Sequence, residues 1–567
     1  MNEAFDQIDA ITVAPPGTVL LHEVTAGKGD VEQLITVPGK SDIVLQPQPS
    51  CDPNDPLNWS TWRKALNFSL AVLYTLWVYT ILDIGTVAYG VWNEELGISY
   101  ANLSNSYATN TAALAVGGVI LIPLTLKYGR RPVYLTTSLA LTLSSVWMAK
   151  SKVLGDFIGS NLISGLAGAV GDAIVQLTIA DLFFVHQRGT MNGIYVLMVN
   201  LGVFAAPVAS GFIMAAQGWP WMFWYCVIFT GATFLAMVFF YEETKYSAPV
   251  LNAVRSPVHP KQQTNTTDAD KSPNSELRKD TLHAIATNNS MPPNNHPGNG
   301  WIDRSIPMKS YRERHRLVSN TPGTLSQFIK MVLRPFVYLY TFPAVAYVSL
   351  QYGCILSLFA VVGNSQAALF VLPPYNFGPV ALGLMSIPAL IGAIIGSIYG
   401  GPLSDWLIVV ISKRNNGIYE PEFRLYLCLL PALLGPAGLL LYGIGATAGL
   451  HWIAPFCGIG LFGFALAAIS NLSLVYLYDS YINILGGALV AVTVVRNSLA
   501  TVIVFAFNPW VTSMGYRNTF ILCAVLALVS MLTAIPMIIW GKAFRIKFAE
   551  KYKHYAMEDS TEEPLRM

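Results

Sequence analysis

The sequence predicts an all-α integral membrane protein with twelve transmembrane helices in two pseudo-symmetric six-helix halves. Hydrophobic residues make up 53% of the 567 residues and charged residues only 12%. So few charges could not cover the apolar surface of a water-soluble fold of this size. Apolar runs long enough to cross the hydrocarbon core, which takes about 20 residues, occur twelve times, six on either side of a long polar segment.

The twelve runs divide into two sets whose positions are equivalent in the two halves. The first set lies at roughly 66–88, 104–126, 133–151, 157–179, 191–214 and 221–241, and the second at roughly 336–360, 379–401, 424–445, 452–475, 487–507 and 519–541. Pro123-Leu124-Thr125 follows the second run, and Pro402-Leu403-Ser404 follows the eighth. This repeat favours an internal duplication, typical of transporters, over two unrelated membrane domains joined by a linker.

The polar segments outside the runs define the remaining domains. We expect a polar N-terminal tail over 1–63, a helical half over 64–241, a linker over 242–331, a second half over 332–541 and a tail over 542–567. The linker is rich in Asn, Pro, Ser, Thr, Lys and Asp, so we expect it to be largely disordered. No basic-then-apolar signal peptide opens the chain, and the first span is expected to act as the insertion signal.

Lys and Arg in the short loops predict the orientation, because such residues favour the cytoplasmic side. The basic loops follow spans 2, 4, 8 and 12 and contain Lys127, Arg130, Arg131, Arg188, Lys413, Arg414, Arg424, Lys542, Arg545 and Lys547. The alternate loops are poorer in these residues, with Lys150 and Lys152 as the exception. We therefore expect a multi-pass protein of the cell membrane with both termini and the linker in the cytoplasm.

Several function classes have no support in the sequence. The net charge of +2 gives no basic footprint for nucleic acid. Five of the six cysteines lie in apolar runs and are expected to pack as small hydrophobic residues, not to bind a metal. No phosphate-binding loop, zinc-protease motif, nucleophile elbow or Cys-x-x-Cys occurs, so we expect neither an enzyme nor a cofactor.

Ionisable residues inside spans are costly, so each one is a functional candidate. Asp83 in span 1 shares a helical face with Tyr79, Thr86 and Gly90, at spacings of 4, 3 and 4. A polar face on an apolar helix predicts that it lines a central cavity and that Asp83 binds a cation or a proton. The alternative is a hydrated carboxylate near the outer membrane interface.

A second polar face in span 4 contains Asp172. Asn161, Gly165, Gly168, Asp172 and Gln176 follow one another at spacings of 4, 3, 4 and 4. Burial would raise the pKa of this carboxyl towards neutrality, which suits a proton carrier. The alternative is a structural hydrogen bond to a neighbouring helix.

Arg496 lies near the middle of span 11 and stays charged at that depth. It could attract an anionic substrate group or lock a conformation by pairing with a carboxylate, and a structural role is also open. Asn497 beside it, Asn110 in span 2, Tyr352 and Asn364 are further candidates for the cavity lining.

Asp181 and Asp479 end spans 4 and 10, at equivalent positions of the two halves. We interpret both as gate or loop anchors that could pair with Arg188, Arg130 or Arg131 and hold the inner side shut. Simple solvation at the membrane interface is the alternative.

Several stretches resemble the fungal major facilitator superfamily, in the twelve-span drug:proton antiporter group near the histidinol and polyamine transporter-like branch. The stretches include Asp55-Pro56-Leu57-Asn58-Trp59, Gly129-Arg130-Arg131-Pro132, Glu242-Glu243-Thr244, Tyr419-Glu420-Pro421 and Arg496-Asn497. Span 5 is similar to the antiporter signature of that group through Gly202, Ala206, Pro207, Ser210 and Gly211. The resemblance implies the major facilitator fold, a small-molecule substrate, proton coupling, a monomer in the lipid bilayer and no cofactor.

The sequence also departs from the family pattern. Ile122 and Leu126 stand where the family's loop signature has Gly and Asp, whereas the second half keeps Gly401 and Asp405. Asn161 replaces a basic residue associated with proton coupling, and Ala206 and Ser210 replace two glycines of the antiporter signature. Proton coupling therefore rests on Asp172 or Asp83.

The resemblance favours proton-coupled efflux of a drug-like compound or a secondary metabolite by alternating access. Import of an organic cation such as a polyamine is the first alternative, since two acidic residues lie within the spans. A membrane nutrient sensor that binds a ligand without transporting it is an alternative of another class.

Overall fold

The apolar runs form long helices, because a chain in hydrocarbon has to satisfy its backbone N–H and C=O groups within each segment. The computed structural model describes residues 16–20, 36–37, 40–44, 50, 52–245, 306–317, 325–415, 418–481 and 484–562. The all-helical membrane fold predicted from the sequence is confirmed by these residues, whose only strands are four short ones.

The first half consists of seven helices with short connections. They are α1 (Thr61–Asp83), α2 (Tyr89–Leu96), α3 (Tyr100–Tyr128), α4 (Arg130–Ala149), α5 (Leu154–Leu182), α6 (Val185–Gln217) and α7 (Trp219–Phe240). A 3-10 turn at Thr86–Ala88 connects α1 to α2.

The second half follows α8 (Tyr311–Arg314), a single turn in the linker. Its helices are α9 (Leu325–Thr341), α10 (Pro343–Phe370), α11 (Pro379–Leu384), α12 (Ser386–Ile398), α13 (Ser404–Arg414), α14 (Leu429–Thr447), α15 (Ile453–Ser480), α16 (Leu485–Leu532), α17 (Ala534–Lys547) and α18 (Ala549–Glu562). A π-helical turn at Tyr399–Leu403 joins α12 to α13, and a 3-10 segment at Pro421–Cys428 precedes α14.

The number of membrane spans follows from the lengths of these helices. Among the described residues, ten helical stretches are long and apolar enough to cross a membrane. The last one, Leu485–Lys547, has 63 residues and is interrupted at Gly515, where φ is 76° and ψ is 165°. It is long enough for two crossings of about 20 residues each. The 20-residue α4 is not among the ten, so twelve spans, which require that α4 cross the membrane and that Leu485–Lys547 cross it twice, stay a prediction.

The seventh span differs from its expected position at 336–360. Here α9 ends at Thr341, and α10 begins at Pro343 after the extended residue Phe342. Proline has no N–H to donate and a φ that already suits a helix, so it is favoured in the first turn, where the N–H has no partner within the helix in any case. Pro343 therefore moves the start of the span towards the C-terminus.

The two halves repeat one close helix contact. In the first half, a Cβ on Gly165 of α5 would lie 2.3 Å from the carbonyl oxygen of Asn110 in α3. In the second half, a Cβ on Gly392 of α12 would lie 2.1 Å from the carbonyl oxygen of Gly460 in α15. Only glycine fits at either crossing, and the second and fourth spans of each half pack closely for this reason.

Two helices of the first half make the main contacts with the second half: α3 packs against α16, and α6 packs against α11 and α12. At the end of the bundle that carries the basic loops, here called the basic end, β1 (Val19–Leu20) pairs with β4 (Ile418–Tyr419). The strands β2 (Thr36–Val37) and β3 (Lys40–Val44) form a separate hairpin.

Part of the linker also packs at the basic end. Tyr311 donates a hydrogen bond to the carbonyl oxygen of Phe239 at 2.8 Å, and the Glu243 amide donates to the carbonyl oxygen of Arg314 at 3.3 Å. Residues 306–317 are thus ordered against the first half, unlike the largely disordered linker expected. The rest of that expectation falls on 246–305 and 318–324, outside the described residues.

Candidate functional site

A buried ion pair joins the two halves near the centre of the bundle. The carboxylate of Asp172 in α5 accepts a hydrogen bond from the guanidinium of Arg496 in α16, and also from the amide of Asn497 at 3.1 Å. The side chains of Asp172 and Arg496 are 1% and 5% exposed. Of the roles considered for Arg496, the structure therefore supports the pair with a carboxylate, because the charge that could attract an anion is already neutralised.

Aromatic side chains fix the geometry of this pair. The Tyr79 hydroxyl of α1 donates to the second oxygen of Asp172. The Tyr352 ring of α10 lies 4.9 Å from the Arg496 guanidinium, a cation–π contact. Tyr195 of α6 donates to the carbonyl oxygens of Gly171 and Asp172 at 3.2 and 3.3 Å. Helices α1, α6 and α10 thus surround the ion pair that α5 and α16 form.

Asp83, at the end of α1, is in a different situation. Its side chain is 4% exposed. Tyr107 of α3 donates to one carboxylate oxygen over a long 3.4 Å, and the other oxygen has no hydrogen-bond partner among the described residues. A buried carboxylate with so few donors is costly to keep ionised, so this group is suited to bind a proton or a cation.

Asp83 lies on a cavity between the halves, here called the inter-half cavity. Thr86 lines it from the first half and Gly363 and Gln366 line it from α10. Three phenylalanines complete the wall: Phe204 of α6, Phe359 of α10 and Phe462 of α15. The predicted polar face of span 1 is therefore divided, because Asp83 and Thr86 reach this cavity whereas Tyr79 binds Asp172.

The polar face of span 4 is divided in the same way. Its inner part meets the second half: Asp172 binds Arg496, and Gln176 accepts a hydrogen bond from Tyr478 at 3.3 Å. Its outer part packs on α3, where Asn161 donates to Ser106 at 2.9 Å. Asn110 donates to Ser164 of α5 at 2.7 Å, a contact within the first half. Asn110 is not among the residues that line the inter-half cavity.

The acidic residues at the ends of α5 and α15 form ion pairs within their own halves. Asp181 pairs with Arg130 at 3.0 Å, and both side chains are at most 5% exposed. Asp479 pairs with Arg424 at 2.7 Å, and Arg424 also binds Asp405 at 2.9 Å. Pairs inside one half cannot hold the two halves together, so the inner gate expected from Asp181 and Asp479 is not formed by these contacts.

The other predicted anchors have different surroundings. The guanidinium of Arg131 donates to the carbonyl oxygens of Val238, Tyr241 and His315. The side chain of Arg188 lies outside the described residues. The Glu243 carboxylate accepts hydrogen bonds from the backbone N–H groups of Arg130 and Arg131, at 2.9 and 3.1 Å. It thereby caps the start of α4. It also places a carboxylate beside the basic turn, where the family's loop signature has an Asp and this chain has Leu126.

The signature-like residues of span 5 lie at helix crossings on α6. A Cβ on Gly202 would lie 2.7 Å from the Leu76 carbonyl oxygen of α1, and one on Gly211 would lie 2.7 Å from the Pro379 carbonyl oxygen of α11. Ser210 donates to the Pro207 carbonyl oxygen at 3.0 Å, and Ala206 is 6% exposed. This helix therefore packs closely on its own half and on the other half.

The sequence did not single out several of the residues that complete these sites. Tyr107, Arg424 and Gln366 are examples, together with the buried pair of Arg545 and Glu422, whose atoms are 2.6 Å apart. Arg424 and Arg545 were considered only as basic loop residues that predict the orientation. The signal for Tyr107 is weak, since a tyrosine in a Ser/Asn-rich span is as typical of helix packing.

Two halves that enclose a cavity, and that share a buried ion pair across their interface, are typical of membrane transport proteins. Residues 68–501 match the Major Facilitator Superfamily. The chain belongs to this family and is a multi-pass membrane transporter of a small solute.

Individual relatives agree with this assignment. The chain is 34% identical over 547 residues to an uncharacterized MFS-type transporter of Schizosaccharomyces pombe, covering 95% of this chain and 94% of the relative. It is 28% identical over 541 residues to Protein HOL1 of Saccharomyces cerevisiae, covering 89% and 91%. The xylose transporter XylE from E. coli shares the fold with a TM-score of 0.53, at 12% identity over 83% of this chain and 98% of that chain.

Proposed function

We propose that the protein exchanges a small organic cation for protons by alternating access, and that Asp83 holds either the cation or the proton. The observation that carries this proposal is the buried carboxylate of Asp83 on the inter-half cavity, with one oxygen that has no partner among the described residues. Keeping such a charge unpaired costs several kcal/mol. The carboxylate is therefore stable when a proton or a cationic ligand neutralises it.

The surroundings of Asp83 favour a cation over an anion. Arg496 is the buried positive charge that could attract an anionic substrate group, but Asp172 already neutralises it. The rings of Phe204, Phe359 and Phe462 line the inter-half cavity, and aromatic faces attract organic cations through their quadrupoles. An amine-bearing drug-like compound or secondary metabolite fits this combination of a carboxylate and aromatic rings.

A single carboxylate that accepts one positive charge at a time gives antiport. When the cavity faces one side, a proton displaces the cation, and when it faces the other side the cation displaces the proton. An inward proton gradient across the cell membrane then drives the cation out. We place both termini and the linker in the cytoplasm on the basis of the basic loops, and we propose a monomer, because one chain supplies both walls of the inter-half cavity.

The contacts between the halves suit a rocking motion. The pair of Asp172 and Arg496 crosses the interface, and so does the hydrogen bond from Tyr89 to Asn364, at 2.9 Å. Rocking of the halves would exchange such contacts at one end for contacts at the other. The close packing of α6 at Gly211 and Pro379 provides a pivot between them.

Import of an organic cation such as a polyamine is a second candidate for the same cavity. The inside-negative membrane potential contributes about 2.3 kcal/mol per elementary charge per 100 mV towards the entry of a cation. The two candidates share Asp83 and differ in the direction of net flux.

Purified protein in proteoliposomes tests the proposal. We expect an inside-acid pH gradient to drive accumulation of radiolabelled tetraphenylphosphonium or spermidine, and Asp83→Asn to abolish it. Asp156→Asn is the matched control, because Asp156 accepts exposed backbone hydrogen bonds at the start of α5 and asparagine can also cap there. Accumulation by Asp83→Asn with the wild-type pH dependence would rule out the proposed role of this carboxylate. Spermidine uptake that an inside-negative potential drives without a pH gradient, and that protein-free liposomes lack, would favour the importer.

A further inference from the structure

A second cavity lies entirely within the first half, here called the first-half chamber. Its walls come from α1, α2, α3, α4, α5 and α7. Its polar lining includes Ser106, Ser144, Ser145, Ser160, Asn161 and Ser164. A cavity with hydroxyl and amide groups can hold water, whereas cavities that stay empty are apolar.

The indole of Trp92 indicates that this chamber holds water. Trp92 is 2% exposed and lines the chamber, and its N–H has no hydrogen-bond partner among the described residues. A buried indole N–H nearly always finds a partner. A cavity with several hydroxyl groups gives a water the two to four partners that it needs, so an ordered water beside Trp92 is the simplest solution.

Asp83 connects the first-half chamber to the inter-half cavity. Tyr107 lines the chamber and donates its hydroxyl to Asp83 at 3.4 Å, while Asp83 itself lines the inter-half cavity. Thr86 lines both spaces and donates to the Asp83 carbonyl oxygen at 2.8 Å. The carboxylate is therefore approached from one side by a polar chamber and from the other by an aromatic-lined one.

We infer that the first-half chamber is a water-filled proton route to Asp83, separate from the inter-half cavity through which the cation arrives. A hydronium ion in the chamber gives a proton to the Tyr107 hydroxyl as that hydroxyl passes its own proton to the Asp83 carboxylate, so that a water remains, Tyr107 stays neutral and the carboxylate becomes a carboxylic acid. When the inter-half cavity faces the other side, the arriving cation displaces this proton from Asp83 into that cavity. This inference rests on the proposed function, since it assigns a path to the proton that Asp83 exchanges.

Separate routes have a mechanical consequence. A cation in the inter-half cavity need not leave before a proton arrives, because the proton comes from behind it.

Two variants separate the routes. Ser144 and Ser145 both donate only to the Leu141 carbonyl oxygen of their own helix, so Ser144→Val with Ser145→Val makes the chamber wall apolar without cutting a bond between helices. Gly363 lines the inter-half cavity, and a Cβ there would meet nothing within 4 Å. Gly363→Leu therefore fills that cavity instead.

The measurement is the rate at which Asp83 gains a proton after a pH jump, followed by the infrared band of the protonated carboxyl that Asp83→Asn lacks. We expect the double serine variant and Tyr107→Phe to slow this rate by about tenfold or more, since each breaks a hydrogen-bonded water path. Binding of tetraphenylphosphonium to the double serine variant at alkaline pH should stay within about twofold of wild type. Gly363→Leu should do the opposite, weakening cation binding and leaving the protonation rate unchanged.

Tyr74→Phe is the control for Tyr107→Phe, because Tyr74 donates to the Ala167 carbonyl oxygen of α5 and does not line either cavity. A protonation rate that falls in Gly363→Leu and not in the serine variant would overturn the separate route while leaving proton exchange at Asp83 intact. A wild-type protein without any Asp83-dependent band would overturn the proposed function itself, and this route with it.

Discussion

Asp172 in the first half and Arg496 in the second half form an ion pair whose side chains are 1% and 5% exposed. The pair crosses the interface at which the halves have to move. Because both charges are buried, neither side chain can stay ionised at low cost without the other. Since Asp172 is already paired, our proposal assigns the ligand charge to Asp83.

The first prediction concerns the coupling within this pair. Asp172→Asn or Arg496→Gln alone leaves an uncompensated buried charge, and each is expected to lower the free energy of unfolding by about 3–5 kcal/mol. The double variant should lose clearly less than the sum of the two single losses. Thermal unfolding of the four proteins in one detergent measures this cycle, and strictly additive losses would contradict a direct pair.

A second prediction concerns the motion between halves. The hydroxyls of Thr111 in α3 and Thr501 in α16 are 3.0 Å apart across the interface. In a cysteine-free background, Thr111→Cys with Thr501→Cys should form a disulfide on oxidation and stop transport in proteoliposomes until a reductant is added. The control is Asn110→Cys with Ser164→Cys, whose native side chains are 2.7 Å apart within one half. Equal flux in the oxidised and reduced forms of the first variant would exclude relative movement there.

The third prediction uses two glycines of α6. Gly202→Ala would place a Cβ 2.7 Å from the Leu76 carbonyl oxygen, and overpacking of this kind costs about 1–3 kcal/mol. At Gly193 a Cβ would meet nothing within 4 Å, so Gly193→Ala should raise helix stability by up to about 1 kcal/mol. The melting temperatures should therefore move in opposite directions. A neutral Gly202→Ala would mean that α1 and α6 are not closely packed there.

The fourth prediction concerns the basic end, where the N-terminal tail packs on the second half. Arg545 is 1% exposed, pairs with Glu422 and donates to the Pro16 carbonyl oxygen at 2.5 Å. Arg545→Met leaves Glu422 buried without its partner, so we expect a loss of about 3–5 kcal/mol and faster proteolysis of the tail. Lys542→Met is the control, because Lys542 is 53% exposed in its pair with Glu420, and such pairs contribute about 0–1 kcal/mol. Equal protease sensitivity of the two variants would argue against a docked tail.

The fold could be predicted from the sequence because the bilayer requires long apolar helices, and their lengths and order are visible in the residues. The two polar faces were visible for the same reason, since a 3.6-residue period brings Asp83 and Thr86, or Asp172 and Gln176, to one side of a helix. The predicted helix ends were wrong by several residues near proline, as at Pro343.

The pairing of the charged residues could not be predicted, because it depends on contacts between segments far apart in the chain. Arg496 lies 324 residues from Asp172, and nothing local distinguishes this partner from Asp83. For Asp181 the sequence left Arg188, Arg130 and Arg131 open, and the structure pairs it with Arg130. Asp479 pairs with Arg424, which was not among the expected partners. That one carboxylate oxygen of Asp83 has no hydrogen-bond partner among the described residues can be recognised only once the surrounding helices are in place.

The most direct test of the central claim is the affinity of the purified protein for tetraphenylphosphonium as a function of pH. If Asp83 holds either a proton or the cation, affinity should weaken by about tenfold for each pH unit below the pKa of the free carboxyl, with one proton released per cation bound. Asp83→Asn should show weak, pH-independent binding. Binding to the wild type that does not change with pH, or a pH dependence that survives in Asp83→Asn, would contradict the exchange of proton and cation at this residue.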